Sequence, residues 1–288
     1  KKGKKKMKIA VIKDLSGMGR CSLTASIPIL NTLGHTVYPV PTAVLSNQTG
    51  YDKYTFFDFT PHLKEYVGVW KDMGVKFDCV YSGFLSNAEQ GEIILDLYEN
   101  CGAPGARLVI DPVMGDDGVM YDTFDDRLCD EVKKLAATAD IITPNLTEAC
   151  MLAGVGYGEF IGGLTEENFY DAHYALAEKC AAVCKGGRTV ITGVTRDEGL
   201  RYVYNFAVSE EGGFFTKNRM YGGHYSGTGD ITASIITGCL MSGRKLSESV
   251  GTAADFVEAA VRYSFHHDVD KNDGVDFEKF LPMLITAE

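Results

Sequence analysis

The sequence predicts an α/β fold in which helices cover both faces of a central, mostly parallel β-sheet with an antiparallel hairpin at its edge. Short β-branched segments alternate with longer segments of helical periodicity through most of the chain. The predicted strands are apolar at nearly every position, which is typical of strands covered on both faces. After residue 200, two strands follow each other across a glycine-containing turn, and this pattern indicates a hairpin.

The elements are predicted in the following order. Short apolar runs predict strands at 8–13, 37–40, 77–82, 107–113, 140–143 and 189–192. Helical periodicity between them predicts helices near 22–33, 61–73, 87–101, 125–138 and 166–184. The edge hairpin is expected over 201–221 with Glu211-Gly212-Gly213 as its turn, and two long helices are expected near 229–242 and 246–266.

Composition and charge favour a globular protein that acts on small molecules. The chain has 288 residues, of which 45% are hydrophobic and 23% charged, so a packed core is expected. The net charge of −11 argues against nucleic-acid binding, which needs clustered Lys and Arg. No segment approaches the roughly 20 apolar residues of a membrane span. We therefore expect a cytoplasmic protein with neither nucleic-acid nor membrane partners.

The chain divides into a short tail and one domain. Residues 1–7 are basic and lack the apolar stretch of a secretory signal, which predicts a disordered or artificially added tail. Residues 8–288 contain no repeat and no Pro/Ser-rich linker, so a single domain is expected there. Eight cysteines are spread without C-x-x-C pairs, as is typical of reduced core thiols.

The segment DVDKNDGVDFEK at 268–279 is similar to a calcium-binding loop. Its glycine at 274 falls one place late, and the twelfth position is Lys279 rather than a bidentate Glu. We interpret it as a polar turn before the last helix.

Polar residues are concentrated directly after the predicted strands. In an open parallel sheet, ligands bind outside the carboxyl ends of the strands. The segments at these ends are DLSGMGR at 14–20, PTAVLSNQTGY at 41–51, SGF at 82–84, DPVMGDDG at 111–118, TPNLTEA at 143–149 and TG at 192–193. Their acids would repel one another unless cations, or anions bridged by cations, lie between them. These acids are Asp14, Asp111, Asp116, Asp117 and Glu148.

A glycine-rich segment, GGHYSGTGD at 222–230, stands where a helix is predicted to begin. Gly227 and Gly229 would let backbone N–H groups converge at the first turn of that helix and bind an anion. A carboxylate inside such a nest could take a proton from a hydroxyl that attacks a phosphoryl group. Asp230 could equally be a simple helix cap. Spacing alone does not decide between these two roles.

Four segments in the same order resemble the pyridoxal kinase branch of the ribokinase-like superfamily, over about residues 8 to 284. They are GGHYSGTGD, VLSNQTGY, VIDPVMGDDG and ITPNLTEA. This resemblance implies a three-layer α/β/α sandwich. It also implies ATP-dependent phosphorylation of the 5′-hydroxymethyl group of pyridoxal, pyridoxine or pyridoxamine. A vitamin kinase of this branch uses Mg²⁺ with ATP, in some cases with a monovalent cation such as K⁺, and commonly forms a homodimer.

The resemblance also implies roles for individual residues. Asp230 would be the catalytic base, and the amides of Gly227, Thr228 and Gly229 would stabilise the moving phosphoryl group. Asp111 and Glu148 would hold Mg²⁺, a hard cation that suits oxygen ligands. The remaining residues on the ATP side would be Tyr121, Thr143, Asn145, Thr192 and Gly193, with Thr228 shared. Tyr121 belongs to GDDGVMYD at 115–122, which resembles the flap that covers ATP.

On the vitamin side, Ser46, Asn47 and Thr49 would meet the polar edge of the substrate, and Phe84 would stack on its ring or simply pack in the core. The first loop departs from the family pattern, since DLSGMGRCS is longer and offers both Asp14 and Ser16 as contacts. No G-x-x-x-x-G-K-[ST] motif occurs, which argues against a Walker-type nucleotide site.

Two other functions stay open at this point. A hydroxymethylpyrimidine kinase of thiamine synthesis shares the fold and the GTGD segment, but it usually carries a Gln after its first loop, which DLSGMGR does not provide. A vitamin-binding protein without turnover would require a blocked site, and every acid that the chemistry needs is present.

Overall fold

A computed structural model describes residues 6–197 and 199–285. The strands are β1 Lys8–Ser16, β2 Thr36–Leu45, β3 Phe56–Asp58, β4 Phe77–Ser82, β5 Gly102–Ile110, β6 Gly115–Asp116, β7 Val119–Met120, β8 Ile141–Ile142, β9 Thr189–Asp197, β10 Arg201–Ser209 and β11 Gly212–Arg219. The helices are α1 Ser22–Thr32, α2 Thr60–Asp72, α3 Glu89–Cys101, α4 Asp126–Thr138, α5 Leu146–Ala153, α6 Tyr157–Gly162, α7 Phe169–Val183, α8 Thr228–Met241 and α9 Leu246–His266, followed by a 3₁₀ helix at Glu278–Leu284.

Nine of these strands form one sheet in the order β11-β10-β9-β8-β5-β4-β1-β2-β3. The pairs from β9 through to β2 are parallel. At one edge β10 is antiparallel to both β9 and β11, and at the other edge β3 is antiparallel to β2. The predicted mostly parallel sheet with an antiparallel edge hairpin is confirmed. Strands β6 and β7 form a separate small hairpin.

Helices cover both faces of the sheet because its strands are apolar on both sides. On β1, Ile9 and Val11 pack with α1, α8 and α9, whereas Ala10 and Ile12 pack with the helices of the opposite layer, α2, α3, α4, α5 and α7. All four side chains are at most 1% exposed. The three layers of the predicted α/β/α sandwich follow from this arrangement.

Several predicted boundaries differ from the structure. The strand predicted at 107–113 ends at Ile110: the Asp111 N–H still donates to the Ser82 carbonyl at 2.9 Å, but Pro112 has no N–H for a further sheet hydrogen bond. The helix predicted from 166 begins at Phe169, after a turn in which Thr165 and Asn168 exchange hydrogen bonds. The elements β3, β6, β7, α5 and α6 were absent from the prediction; the three strands have only two or three residues each, too few to show a period.

Other expectations concern the ends and the cysteines. Of the predicted tail at 1–7, residues 1–5 lie outside the described residues. All eight cysteines are buried and free of disulfides. The segment after residue 268 is a turn that leads into the final 3₁₀ helix. Across the described ranges, the helices are too short or too polar to traverse a membrane.

Candidate active site

A cavity of about 770 Å³ lies at the carboxyl ends of the parallel strands, beside the start of α8. This is the place where open parallel sheets bind ligands. The predicted site residues that line it are Asp14, Ser16, Thr49, Phe84, Asp111, Tyr121, Thr143, Asn145, Glu148, Thr192, Gly193, Gly227, Thr228, Gly229 and Asp230. The fold therefore brings together residues from several strands of the sheet and from the N-termini of two helices, α5 and α8.

Two predicted residues, Ser46 and Asn47, do not line the cavity. The Ser46 hydroxyl donates to Asn47 Oδ1 at 2.6 Å, and Asn47 Nδ2 donates to the Lys53 carbonyl at 2.8 Å. Their polar atoms thus hold the loop in shape rather than face a ligand. Thr49, together with Gln48 and the backbone at Gly50, occupies the cavity wall instead.

The start of α8 has the form of an anion-binding nest. Gly227 precedes the helix with a φ of 78°, a left-handed conformation that glycine adopts without strain. A Cβ atom at this position would lie 2.0 Å from the Arg20 carbonyl oxygen, so only glycine fits. The amides of Thr228, Gly229 and Asp230 follow in the first turn, where N–H groups lack intrahelical acceptors and the helix dipole favours an anion.

The Asp230 carboxylate lies on the cavity wall and contacts two other elements, β1 and α1. Its Oδ1 accepts a hydrogen bond from Lys13 Nζ at 2.6 Å, and its Oδ2 accepts one from the Ser22 backbone N–H at 2.8 Å. The N-cap residue of α8 is Gly227, and the two hydrogen bonds of Asp230 given above lead to other elements and not to the N–H groups of its own helix. Its interpretation as a simple helix cap is therefore wrong. The carboxylate is fixed between the nest and the carboxyl end of β1.

Lys13 is a site residue that the sequence analysis missed. Its side chain is 0% exposed, and Nζ contacts Tyr81 Oη at 2.6 Å, Asp230 Oδ1 at 2.6 Å and Asp111 Oδ2 at 3.3 Å. Burial by itself lowers the pKa of Lys13, but these three partners, Asp230 most of all, raise it well above its usual value. Lys13 is therefore an ammonium ion. The sequence does contain a sign of this role, because Lys13 follows directly after the apolar residues IAVI at 9–12 of the same predicted strand.

Asp111 and Glu148 are buried acids of the cavity, the two that the family resemblance assigns to Mg²⁺ and ATP. Asp111 accepts a hydrogen bond from Thr143 Oγ1 at 3.3 Å. Glu148 accepts one from the Met114 N–H at 3.1 Å and one from the Asn145 N–H at 2.8 Å. Burial raises the pKa of both carboxyl groups, and the charge of Asp111 raises that of Glu148 further. Two buried acids at one cavity wall favour a bound cation.

This pair of acids suits magnesium held partly through water. Within residues 6–197 and 199–285, no group of three or more His, Cys, Asp or Glu side chains is arranged to enclose a metal. Mg²⁺ that accompanies a nucleotide needs only one or two carboxylates, because phosphate oxygens and waters complete its shell. The donor set of Asp111 and Glu148 therefore fits a nucleotide-bound Mg²⁺ and not an all-protein metal cage.

Asp14 lies beside Asp230 at the end of β1. Its Oδ2 accepts a hydrogen bond from Ser16 Oγ at 2.8 Å, and its Oδ1 accepts one from Ser22 Oγ. Burial raises the pKa of Asp14, and the charge of Asp230 adds to this effect. Ser22 has a positive φ of 47°, which is unusual for serine and which lets it reach both carboxylates at once. Ser22 was absent from the predicted site.

The β6–β7 hairpin, at the position of the predicted flap, is attached to α5. Asn145 Nδ2 donates to the Gly115 carbonyl at 2.7 Å, and the Gly118 N–H donates to Thr147 Oγ1 at 2.9 Å. The ring of Tyr157 lies against Gly118, which has a φ of 78°. The hairpin thus reaches the cavity at a position fixed relative to the N-terminus of α5, which carries Glu148.

The segment 270–278 near the C-terminus contacts two loops of the cavity, the one at 17–21 and the one at 46–55, and we call this segment the C-terminal clamp. Asp273 Oδ1 accepts a hydrogen bond from Tyr51 Oη, and the Asn272 carbonyl accepts one from Gln48 Nε2 at 3.2 Å. Arg20 forms an ion pair with Asp276 at 2.6 Å and donates from Nε to Glu278 at 2.9 Å. Loops that are far apart in sequence are joined here.

The nest is joined to the same clamp. The Ser226 N–H donates to the Lys271 carbonyl at 3.0 Å, one residue before Gly227. The segment interpreted from sequence as a polar turn therefore has contacts with three walls of the cavity.

Comparison with known sequences identifies a family. The family profile described as phosphomethylpyrimidine kinase matches residues 12–274. Pyridoxal kinase PdxY from Rubrobacter xylanophilus is 29% identical over 88% of this chain and 87% of its own length.

Solved structures agree over nearly the whole chain. A Bacteroides thetaiotaomicron protein described as a phosphomethylpyrimidine kinase, in a crystal form with pyridoxal, is 36% identical with a TM-score of 0.87, over 97% of this chain and 96% of that one. Pyridoxal kinase from Lactobacillus plantarum is 28% identical with a TM-score of 0.84, over 96% of both chains. The fold class predicted from the sequence is confirmed.

Proposed function

Because this chain belongs to the phosphomethylpyrimidine kinase family, we propose that it transfers the γ-phosphoryl group of ATP to the 5′-hydroxymethyl group of pyridoxal, pyridoxine or pyridoxamine. The observation that carries this proposal is the position of Asp230. Its carboxylate stands at the mouth of the nest formed by the first amides of α8, in the same cavity as Asp111 and Glu148. A carboxylate at this position can accept the proton of a hydroxyl group that attacks a phosphoryl group.

The reaction forms one bond and breaks one. The hydroxymethyl oxygen bonds to the γ-phosphorus while the bond from that phosphorus to the β,γ-bridging oxygen breaks, so that ADP leaves. Asp230 accepts the hydroxyl proton, and the amides of Thr228 and Gly229 donate hydrogen bonds to the phosphoryl oxygens as charge builds on them. Since phosphoryl transfer depends mainly on position and electrostatics, the rigid hold on Asp230 matters as much as its basicity.

Asp111 and Glu148 would hold Mg²⁺, directly or through water, and the bound cation would neutralise charge on the transferred phosphate. Thr143 supports Asp111 through its hydroxyl, and Asn145 supports Glu148 through its backbone N–H. These residues keep both acids pointed at one place. Tyr121, Thr192 and Gly193 line the same side and would contact the nucleotide.

Vitamin B6 is favoured as the substrate by two relatives. The Rubrobacter protein is named as a pyridoxal kinase, and the Bacteroides structure holds pyridoxal. Phe84 lies on the cavity wall and meets Phe56 and Phe124 edge to face, so one side of its ring can stack on a pyridine. Hydroxymethylpyrimidine is the second candidate, because the family description and that of the Bacteroides protein both refer to this substrate class.

The test is ADP release from Mg·ATP with pyridoxal, pyridoxine, pyridoxamine and hydroxymethylpyrimidine, measured side by side on the wild-type protein and on Asp230→Asn. We expect turnover on the pyridines, and a fall in kcat of about 10²- to 10⁴-fold in Asp230→Asn, because the proton acceptor is lost. The KM for ATP should change little, since Asp230 faces the acceptor hydroxyl.

Other outcomes would redirect the proposal. Turnover on the pyrimidine alone would keep the mechanism and replace the substrate. Tight pyridoxal binding without ADP release would identify a binding protein. A modest, equal loss of kcat and ATP affinity in Asp230→Asn would contradict the role of Asp230 as the base.

Three further expectations rest on the family resemblance, and we keep them as proposals: a homodimer, a cytoplasmic location and activation by a monovalent cation such as K⁺. Light scattering would measure the oligomeric state. Activity assays in potassium and in tetramethylammonium salts at equal ionic strength would measure activation by K⁺.

A further inference from the structure

A single buried ammonium group joins two of the acids that the proposed reaction uses, Asp230 and Asp111. Lys13 Nζ lies 2.6 Å from Asp230 Oδ1 and 3.3 Å from Asp111 Oδ2. Its third partner, Tyr81 Oη, lies at 2.6 Å and is itself fully buried. Each N–H of the ammonium therefore has an acceptor.

The surrounding chain is shaped to hold this side chain. The pairing of β1 with β2 is irregular between Lys13 and Leu15, and such irregularities redirect side chains near active sites. Gly83 lies against the stem of the lysine, and a Cβ atom there would be 2.5 Å from Lys13 Cε. The path of the lysine from β1 to the two acids thus requires a glycine after β4.

Lys13 does not line the cavity, whereas Asp230 and Asp111 do. With a side chain that is 0% exposed, it is separated from any ligand by its own carboxylate partners. Whatever it contributes to catalysis must therefore pass through these acids.

We propose that Lys13 is a positioning residue whose ammonium group supplies the permanent positive charge between Asp230 and Asp111 and fixes Asp230 Oδ1, leaving the carboxylate aimed at the substrate hydroxyl. This inference rests on the proposed function. Asp111 is buried and the Asp230 side chain is 16% exposed, and without a cation between them the two carboxylates would repel each other, so that one would rotate away or take up a proton. The sequence raised this problem of repulsion for the acids after the strands, and for one of them, Asp111, Lys13 supplies a neighbouring positive charge.

The first experiment compares wild type, Lys13→Met and Lys13→Ala, with Lys76→Met as the matched control, because Lys76 is an exposed lysine that bonds only a backbone carbonyl among the contacts described. We expect kcat with pyridoxal to fall about 100-fold or more in both Lys13 variants, with a smaller change in the KM for ATP. Lys76→Met should retain wild-type kinetics.

Chemical rescue separates the charge from the packing. Lys13→Ala leaves a cavity the size of the lost side chain, and ethylammonium chloride should restore part of the lost kcat, whereas sodium chloride at the same ionic strength should not. Lys13→Met fills that space and should not respond to the amine. Failure of ethylammonium to restore any activity to a folded Lys13→Ala protein would contradict a role for the charge.

Coupling to Asp230 is measured in a double-mutant cycle. If Lys13 acts through Asp230, Lys13→Met should lower kcat no further in the Asp230→Asn background. The melting temperature gives a second measure that needs no turnover. Asp230→Asn should lower it clearly when Lys13 is present, since a buried ammonium loses its charged partner, and much less when Lys13 is replaced by Met.

Equal shifts in melting temperature in the two backgrounds, or additive losses of kcat, would overturn the inference. Absence of wild-type turnover on every substrate would contradict the proposed function, while the melting-temperature cycle would still decide the coupling. If Lys13→Met does not fold, Tyr81→Phe replaces it, because it keeps the charge and removes one of three anchors. We expect kcat to fall in Tyr81→Phe, and an unchanged value would count against the inference.

Discussion

Gly227 is the residue on which the geometry of the nest depends most directly. It turns the chain into α8 at a φ of 78°, and its Cα hydrogens face the Arg20 carbonyl, where a Cβ atom would be 2.0 Å from oxygen. Arg20 itself belongs to the first loop and is held by the C-terminal clamp. A side chain at position 227 would therefore displace the nest amides, because the Arg20 backbone is held in place by the C-terminal clamp.

We predict that Gly227→Ala lowers the free energy of unfolding by about 1–3 kcal/mol through backbone strain, and lowers kcat because the nest amides shift. Thermal melting and ADP-release kinetics measure the two effects. The matched control is Gly251→Ala within α9, where no atom lies within 4 Å of an added Cβ and φ is not positive. That change should raise stability by up to about 1 kcal/mol and leave kinetics alone. A Gly227→Ala protein with wild-type stability would contradict the contact with Arg20.

At the scale of elements, the position of the β6–β7 hairpin depends on α5. The hairpin has only two residues in each strand, so it has little stability of its own. Its contacts with Asn145 and Thr147 join it to the helix that also holds Glu148. If a nucleotide binds under the hairpin, α5 therefore sets the position both of the hairpin above it and of Glu148.

We predict that Thr147→Val raises the KM for ATP about fivefold, the equivalent of one lost hydrogen bond to the Gly118 N–H, with a smaller effect on kcat. Valine keeps the shape of threonine and replaces the hydroxyl, which accepts the hydrogen bond from the Gly118 N–H, by a methyl group. Thr147→Ser keeps the acceptor and is the control, which should bind ATP as the wild type does. Similar KM values for ATP in Thr147→Val and wild type would show that the hairpin does not need this contact.

At the scale of the whole molecule, the vitamin end of the cavity is closed by parts of the chain that are far apart in sequence. Tyr51 and Asp273 are separated by 222 positions, and Gln48 and Asn272 by 224. The hydrogen bond to Asp273 raises the pKa of Tyr51 to about 12, so the phenol stays protonated and keeps donating across the neutral pH range. The C-terminal clamp thus sets the loop that carries Thr49.

We predict that Tyr51→Phe raises the KM for pyridoxal by about fivefold and leaves the KM for ATP unchanged, because only the vitamin-side loop loses an anchor. Steady-state kinetics with each substrate varied in turn measure this difference. Tyr66→Phe is the control, since it removes a hydroxyl that bonds the Pro39 carbonyl outside the cavity lining. Equal rises in both KM values would indicate a general loss of structure instead of a local effect.

Much of the fold was predictable because it depends on local patterns. The parallel strands and their crossover helices appear in the sequence as apolar runs and helical periods, and the observed β4 coincides with the predicted strand at 77–82. The edge hairpin was visible for the same reason, since glycines mark its turn. Strands of two or three residues, such as β6 and β7, have no period to detect.

The site was predictable only where a segment of the chain carries its own chemistry. The nest at Gly227 is such a case, because glycines and a helix start suffice to form it. Ser46 and Asn47 show the opposite, since both are polar and follow a strand, yet their side chains turn into their own loop. The direction of a polar side chain depends on which hydrogen-bonding group lies nearest in the folded chain, and for Ser46 and Asn47 that group belongs to their own loop.

By itself, the sequence determined the order of strands and helices, the end of the sheet at which ligands bind and the anion-binding start of α8, because turns, periods and helix ends act over a few residues. Only the tertiary structure decided which charges meet. Lys13 reaches Asp111 across 98 positions and Asp230 across 217, and Ser22 joins Asp14 to Asp230. A buried charge takes the partners that packing places beside it, and those partners come from strands and helices that only the folded sheet brings together.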